Sequence, residues 1–319
     1  MNKTLKLLLI IGCSLVFLGG IVFVVCLAAS GWSFQSFSNV QVEYKTFEEK
    51  TDNEITSLSI DYNVANVVVY VSADTETLSV QYPQMQNKKG ENIAQITVQE
   101  TQNALSIKET ALNTSFNIFN FESSNVSVYL PQNRVYALNL QSETGSITLQ
   151  GTSLQTSSIL LETATGMVSS KNCTLSCTGE AHLETTTGMV SVGELSAQSV
   201  VLETTTGYVK AHNSITAQTS VSLKSNTGRV ETLGVITANS VSMETNTGDV
   251  KATGEIRASS ITLETTTGDV KAAVGGKKDD FTIIVSYDTG DSNLHSQTGG
   301  AKTLNVSTDT GDIYVTFTE

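Results

Sequence analysis

Basic residues are scarce in this chain. Eighteen lysines and arginines stand against 31 aspartates and glutamates, a formal net charge of −13 over 319 residues. A nucleic-acid-binding protein, or one adsorbed to an acidic membrane face, presents a basic patch, so neither partner suits this balance. Aromatic residues are thin as well: between Ser142 and Asp280 only Tyr208 occurs. Repetitive β scaffolds that cleave polysaccharides need aromatic platforms for the sugar beside an acid/base pair, and this stretch has no such platform. The three histidines, His182, His212 and His295, have no nucleophile spaced to work with them. No catalytic residue and no cofactor is expected. Of four cysteines, Cys13 and Cys26 fall in an apolar run, leaving Cys173 and Cys177 for the rest. Two thiols without further His or Cys nearby do not make a zinc site. On one straight strand they would lie roughly 13 Å apart, beyond disulfide reach unless the chain turns between them.

No amphipathic helix of useful length is visible, but one long apolar run is. From Leu7 to Ala29 every residue is apolar or small, and Lys3 and Lys6 precede the run. Its length is that of a membrane-spanning helix. The leading lysines, and the acids Glu43, Glu48, Glu49, Asp52 and Glu54 that follow, place the N-terminus in the cytoplasm and the bulk of the chain outside. The expectation is a single-pass membrane protein with an extracellular C-terminal domain. Two alternatives stay open: a signal peptide with its cleavage site at Ala28-Ala29-Ser30, and a lipobox at Ile10-Ile11-Gly12-Cys13.

Beyond the anchor a pattern recurs nine times: apolar, any, apolar, Glu-like, Thr, any, Thr, Gly, any, Val. Its glycines are Gly145, Gly166, Gly188, Gly207, Gly228, Gly248, Gly268, Gly290 and Gly311. A period of about 20 residues is the mark of a stacked repeat. Counting from each glycine, positions −7 and −5 are apolar, as in Ile261/Leu263. Position +2 is Val or Ile except at Ser292, and a further Leu or Ile (Leu154, Leu175, Leu195, Ile215, Ile236, Ile256) follows seven to nine residues after the corner. Residues two apart share a strand face, and a glycine bend joins two such strands. Three inward faces per 20 residues describe one turn of a single-stranded parallel β-helix, which folds only as a stack. The chain divides into a stub and anchor (1–30), a stalk (31–53), an N-terminal strand block and cap (54–137) and the β-helix repeats (138–319). The cap hides a degenerate copy of the repeat at Leu58, Ile60, Ala65 and Val67.

Two outward rows carry charge. Position −4 is mostly Glu (Glu162, Glu184, Glu203, Glu244, Glu264), with Lys224 placed to relieve Glu203 and Glu244. Position +1 drifts from Ser146, Met167, Met189, Tyr208 and Arg229 to Asp249, Asp269, Asp291 and Asp312. The four aspartates are weak metal candidates, because one carboxylate per turn supplies too few of the six to eight oxygens calcium takes. The other local feature is the aromatic stretch Phe116, Phe119, Phe121, either a contact loop or a plug over the first turn.

The repeat, as in Ile261 to Val270, together with the strand block and the anchor before it, resembles the bacterial putative-adhesin family over about residues 54–319. That is a domain of unknown function related to the toast-rack-like cell-envelope domains. The resemblance implies a right-handed coil on the outer face of the cell, at times encoded beside envelope-stress systems, and it carries no catalytic residues. The chain departs from the pattern at Ser292 and at the longer loop around Gly275-Gly276-Lys277-Lys278. The expected role is an adhesin-like or envelope interaction module touching a protein or envelope component. An accessory of a stress-response or transport system is the alternative.

Overall fold

The computed structural model describes residues 40–50, 54–87, 89–111 and 124–318. Among them the only helical element is a single 3-10 turn at Lys278–Asp280, and none is long and apolar enough to cross a membrane. The expected anchor lies outside the described residues, as do Phe116, Phe119 and Phe121. Twenty-four strands make one continuous sheet. The first eight are β1 (Val40–Glu48), β2 (Ser57–Val64), β3 (Asn66–Ser72), β4 (Ser79–Asn87), β5 (Ala94–Glu100), β6 (Ala104–Ala111), β7 (Asn125–Pro131) and β8 (Val135–Thr144). The next eight are β9 (Ile147–Thr165), β10 (Val168–Cys177), β11 (Glu180–Thr187), β12 (Val190–Val192), β13 (Leu195–Thr206), β14 (Val209–Ala211), β15 (Ile215–Thr227) and β16 (Val230–Thr232). The last are β17 (Ile236–Thr237), β18 (Ser240–Thr247), β19 (Val250–Arg257), β20 (Ser260–Thr267), β21 (Val270–Gly275), β22 (Phe281–Thr289), β23 (Lys302–Thr310) and β24 (Ile313–Thr318).

The strands stack as a three-faced coil. On the face before each corner, β8, the end of β9, β11, the end of β13, the end of β15, β18 and β20 pair in parallel and in register. Leu140, Leu161, Leu183, Leu202, Leu223, Met243 and Leu263 therefore form one buried column. After the corner, Ile147, Val168, Val190, Val209, Val230, Val250 and Val270 form a second. The third column is Leu154, Leu175, Leu195, Ile215, Ile236 and Ile256, all essentially inaccessible to solvent. All three inward rows stand where the spacing puts them.

The corner explains the Thr-x-Thr-Gly motif. Each corner glycine has φ between 129° and 151°, where side-chain-bearing residues are strained. A Cβ there would also lie 1.6–2.2 Å from the carbonyl oxygen of the corner in the neighbouring turn, so the turns touch backbone to backbone. The next turn satisfies the corner's polar groups. Along the stack, from Gly145 through Gly268 to Gly311, each glycine N–H donates to the carbonyl of a threonine at −1 of the next turn, at 2.7–3.0 Å, and Gly290 forms the outermost corner. Its carbonyl accepts the hydroxyl at −3, as from Thr163 to Gly145, Thr185 to Gly166, Thr245 to Gly228 and Thr308 to Gly268. These hydroxyls are buried. Position −3 is thus an inward polar row that satisfies an otherwise orphaned carbonyl. No contact explains the preference for threonine rather than another residue at −1.

Both ends depart from chain order. At the start, β2 and β3 stack on β8 and β9 with Leu58 against Leu138 and Val67 against Ile147, so the degenerate copy is a true turn with Ala65 at its corner. The segment formed by β6 and β7 stacks outside that turn, and β5, β4 and β1 close the end with antiparallel strands. At the other end the turns at Gly290 and Gly311 are exchanged relative to the sequential stack the repeat suggests. β20 pairs with β23, and β22 lies outside β23, so the corners run Gly268, Gly311, Gly290. The glycine loop and the 3-10 turn carry the chain one level too far, and the final strands return to fill the gap. The exchange keeps the C-terminal strand from being an open edge. The Asn293 side chain donates to the Val315 carbonyl and accepts the Val315 N–H. Gln297 bridges Ile283, and Ser296 Oγ accepts the Val285 N–H, which blunts the outermost strand.

Two outcomes test this architecture. Gly228→Ala should destabilise the protein by about 3 kcal/mol through strain plus the carbonyl clash, against about 1 kcal/mol for Gly90→Ala, where nothing lies within 4 Å. Urea unfolding monitored by circular dichroism reads the difference, and equal costs would contradict the corner account. A Thr262→Cys/Asn305→Cys pair, on adjacent strands, should oxidise to a disulfide, whereas Thr262→Cys/Ile284→Cys, two levels apart at roughly 10 Å, should not. The reverse result would restore sequential stacking.

Candidate interaction surfaces

The +1 row lies just past the corner, where one backbone N–H has no rung-to-rung partner. The glycine N–H and the +2 N–H are both used between turns, which leaves the +1 N–H. Side chains fill the role: Asn66 accepts the Ser146 N–H and Ser146 Oγ that of Met167. At the far end Asp249 accepts from Asp269, Asp269 from Asp312, and Asp312 from Asp291. The four aspartates therefore follow one another one turn apart, in the order 249, 269, 312, 291, and the carboxylates of the first three each cap the backbone N–H of the next. Asp249 also meets Arg229 at 2.8 Å, and Asp269 meets Lys271 at 2.8 Å. The Lys271 hydrogen bond, then the Asp312 N–H, hold the Asp269 carboxyl below its ordinary range. Among the described residues no group of three or more His, Cys, Asp or Glu converges on a point that would hold a metal.

Between these capped ends the +1 row changes character. Met167 and Met189 are half-buried, Tyr208 is 58 % exposed, and Arg229 is exposed. Met189, Tyr208, Val209, Lys210, Arg229 and Glu231 line an open cleft of about 310 Å³. Its floor is fixed by an ion ladder on the next outward row: Glu231 sits 2.8 Å from Lys210 and 3.2 Å from Lys251. The Lys210 hydrogen bond leads in keeping Glu231 ionised below the usual carboxylate range. His212 is held below the usual histidine range by burial, then by Lys171 and Lys210. The cleft thus joins an aromatic ring, a thioether and a guanidinium, the side chains that dominate contact surfaces. The sequence sets Tyr208 in the +1 row between Met189 and Arg229, but the cleft that these side chains of three successive turns form shows only in the structure.

The −4 row points outward as its spacing requires. Lys224 stands in register between Glu203 and Glu244 but forms no ion pair within 4 Å with either. Its long chain extends into solvent, where such a pair gains little. Gln141 donates to Glu162, and Ser242 bonds Glu244. His182 Nε2 lies 3.3 Å from Glu184, and no nucleophile accompanies it. Cys173 and Cys177 are both buried and unbridged on the single strand β10, flanking Leu175. Burial pushes the Cys173 thiol up to about 11.

Two buried glutamates that the spacing did not single out hold the N-terminal end. Glu49 accepts both the Ile55 and Leu78 N–H groups and a two-oxygen contact from Arg134 at 2.7–2.8 Å. Burial pushes its carboxyl upward, but the Arg134 hydrogen bonds and the two backbone donors outweigh it, and the net shift is downward. Glu109 accepts the Asn63 N–H, has no ion pair within 4 Å among the described residues, and is driven up by burial.

Comparison with known proteins places this geometry. The model of the family described as Toastrack DUF4097 matches residues 55–316. A solved putative adhesin from Bacteroides fragilis is similar at 15 % identity, covering 86 % of this chain and 97 % of its own, with a TM-score of 0.43. A putative adhesin from Parabacteroides distasonis is similar at 11 % identity over 86 % and 97 %, with a TM-score of 0.34. A putative lipid binding protein from the same organism is similar at 11 % over 87 % and 97 %, with a TM-score of 0.36. No curated protein matches the chain.

The Glu49 lock has a defined pH signature. Its folded pKa lies below the ordinary value of 4.5, so its stabilisation is complete above that pH and is lost as pH falls through the folded value. Glu49→Gln should cost about 3 kcal/mol near pH 7, because Arg134 loses its buried partner. The gap from the parent should narrow once pH falls below the ordinary value of 4.5 and close as it passes through the lowered folded value. Melting curves from pH 3 to 7 measure it, and a gap independent of pH would contradict the pairing.

Proposed function

We propose, from the premise that this chain belongs to the Toastrack DUF4097 family, that it is a non-catalytic contact rod held outside the cell by its N-terminal apolar segment. The anchor rests on the uninterrupted run from Leu7 to Ala29 and on the lysines before it. The coil is right-handed in this reading, since crossovers between parallel strands take that hand in about 98 % of cases. The net negative charge suits a domain held off an anionic envelope, and the partner is a protein or another envelope component rather than nucleic acid.

The observation that carries the reading is the cleft at Met189, Tyr208 and Arg229. The other middle turns present mostly Ser, Thr, Asn and rows of charge, which bind water well, and the other exposed tyrosines, Tyr44, Tyr70, Tyr129, Tyr287 and Tyr314, lie toward the two ends. Here a half-wet aromatic, a soft thioether and an arginine come together on a backbone that cannot bend away. A rigid support lowers the ordering cost of contact.

A photo-crosslinking amino acid placed at Tyr208, with Glu264 on the preceding face as the control, tests this in intact cells. The expected result is a discrete adduct from position 208 and none from position 264. Equal labelling of both, or none at 208, would contradict the cleft as the contact. Capture of a membrane protein of the same cell would favour the accessory role; capture of an external or wall component favours the adhesin-like one.

A further inference from the structure

The N-terminal end of the stack carries an edge strand whose pattern fits a second copy of itself. β1 pairs with β4 alone among the described strands. In that pairing Tyr44 faces Pro83, which has no N–H to give. Immediately beyond the strand, the Glu49 N–H donates to the Leu78 carbonyl at 2.9 Å. Odd-numbered residues of β1 therefore bond toward β4, and Val40, Val42, Tyr44, Thr46 and Glu48 direct their backbone groups away from it. Most of the strand is exposed on both faces: Gln41, Glu43, Tyr44, Lys45, Thr46 and Glu48 all reach solvent. Such an edge invites another strand unless it is blunted.

We propose that β1 pairs antiparallel with β1 of a second copy, about a two-fold axis through Tyr44, giving a dimer with one sheet continuous across both chains. The outward backbone groups sit on even residues, so even residues must face even residues across the junction. That restricts the register to steps of two. Centred on Tyr44, all nine residues of each strand pair, Val42 faces Thr46, and Glu43 faces Lys45 of the other copy on both sides of the axis. Those pairs fall at the closely spaced, non-hydrogen-bonded positions, where cross-strand side chains interact best. One step either way sets Glu43 against Glu43 or Lys45 against Lys45. Full overlap and charge match thus coincide in one register. Within its own chain, among the described residues, Lys45 has no ion pair within 4 Å, and Glu43 takes only the Gln86 amide. The surface is separate from the Tyr208 cleft and does not depend on it.

Register-specific disulfide trapping tests this in the full-length chain, with Cys13→Ser and Cys26→Ser as background. Tyr44→Cys should give a covalent dimer on mild oxidation, because directly opposed residues lie about 5.5 Å apart, within disulfide reach. Val42→Cys alone and Thr46→Cys alone should give none, since identical residues there are roughly 13 Å apart; the two variants mixed should crosslink. Adding Glu43→Lys to Tyr44→Cys should abolish the dimer, and adding Lys45→Glu as well should restore it. Equal crosslinking at 42, 44 and 46 would overturn the proposal as random collision. No Tyr44→Cys dimer from a chain folded by circular dichroism would overturn it too, and would assign the edge to residues 112–123 or to a different protein.

Discussion

The approach of one corner backbone to the next governs this protein. Successive turns of a coil can lie at strand spacing only if their bends stack as closely as their strands do. At these corners the space left for a side chain is occupied by a neighbouring carbonyl oxygen. Glycine is therefore required by contact as well as by dihedral angle. Having no side chain, it leaves its own carbonyl for the next turn to satisfy, which the hydroxyl at −3 does. Glycine and threonine are thus two halves of one interaction, and the apolar columns fall into register because the corners do. Each turn buries its face only against its neighbours, so stability belongs to the stack.

This logic shows which parts of the fold were legible. The inward rows and the corners were readable because each depends on a residue type that nothing else satisfies at that spacing. Ala65 was readable as a corner because Leu58, Ile60 and Val67 hold their places around it. The hydroxyl row was visible as a recurring threonine, and alternation from −5 puts it inward, but its partner, the neighbouring corner's carbonyl, needs the corner geometry. The exchange of the last two turns was not legible: Ser292 marks the Gly290 turn as irregular where Gly311 keeps Ile313, but only the loop from Gly275 to Asp280 and the return through Gln297 decide which lies outside. Glu49 and Arg134 are 85 residues apart, and no local pattern links them.

The surface obeys the same period as the core. Any outward position becomes a row, so a residue of one turn is read with its counterparts one level above and below. This turns Asp249, Asp269 and Asp312 into a chain of backbone caps, since each has the next turn's free N–H within reach. It also turns Lys210, Glu231 and Lys251 into an alternating ladder. The cleft at Tyr208 arises where the capping residues at +1 give way to Met189, Tyr208 and Arg229. A local break in a regular row is the kind of feature that a partner can recognise on an otherwise uniform rod, and the rod's stiffness keeps that feature in place.

Amide hydrogen exchange at the corner glycines tests the central claim most directly. If stacked corners hold the coil together, the N–H groups of Gly166, Gly188, Gly207, Gly228 and Gly248 exchange as slowly as those of Leu183, Leu202 and Leu223 within the strands. Exchange at these glycines at the rates of solvent-exposed turns, with the strands still protected, would show that the corners are merely tolerated and that the account is wrong.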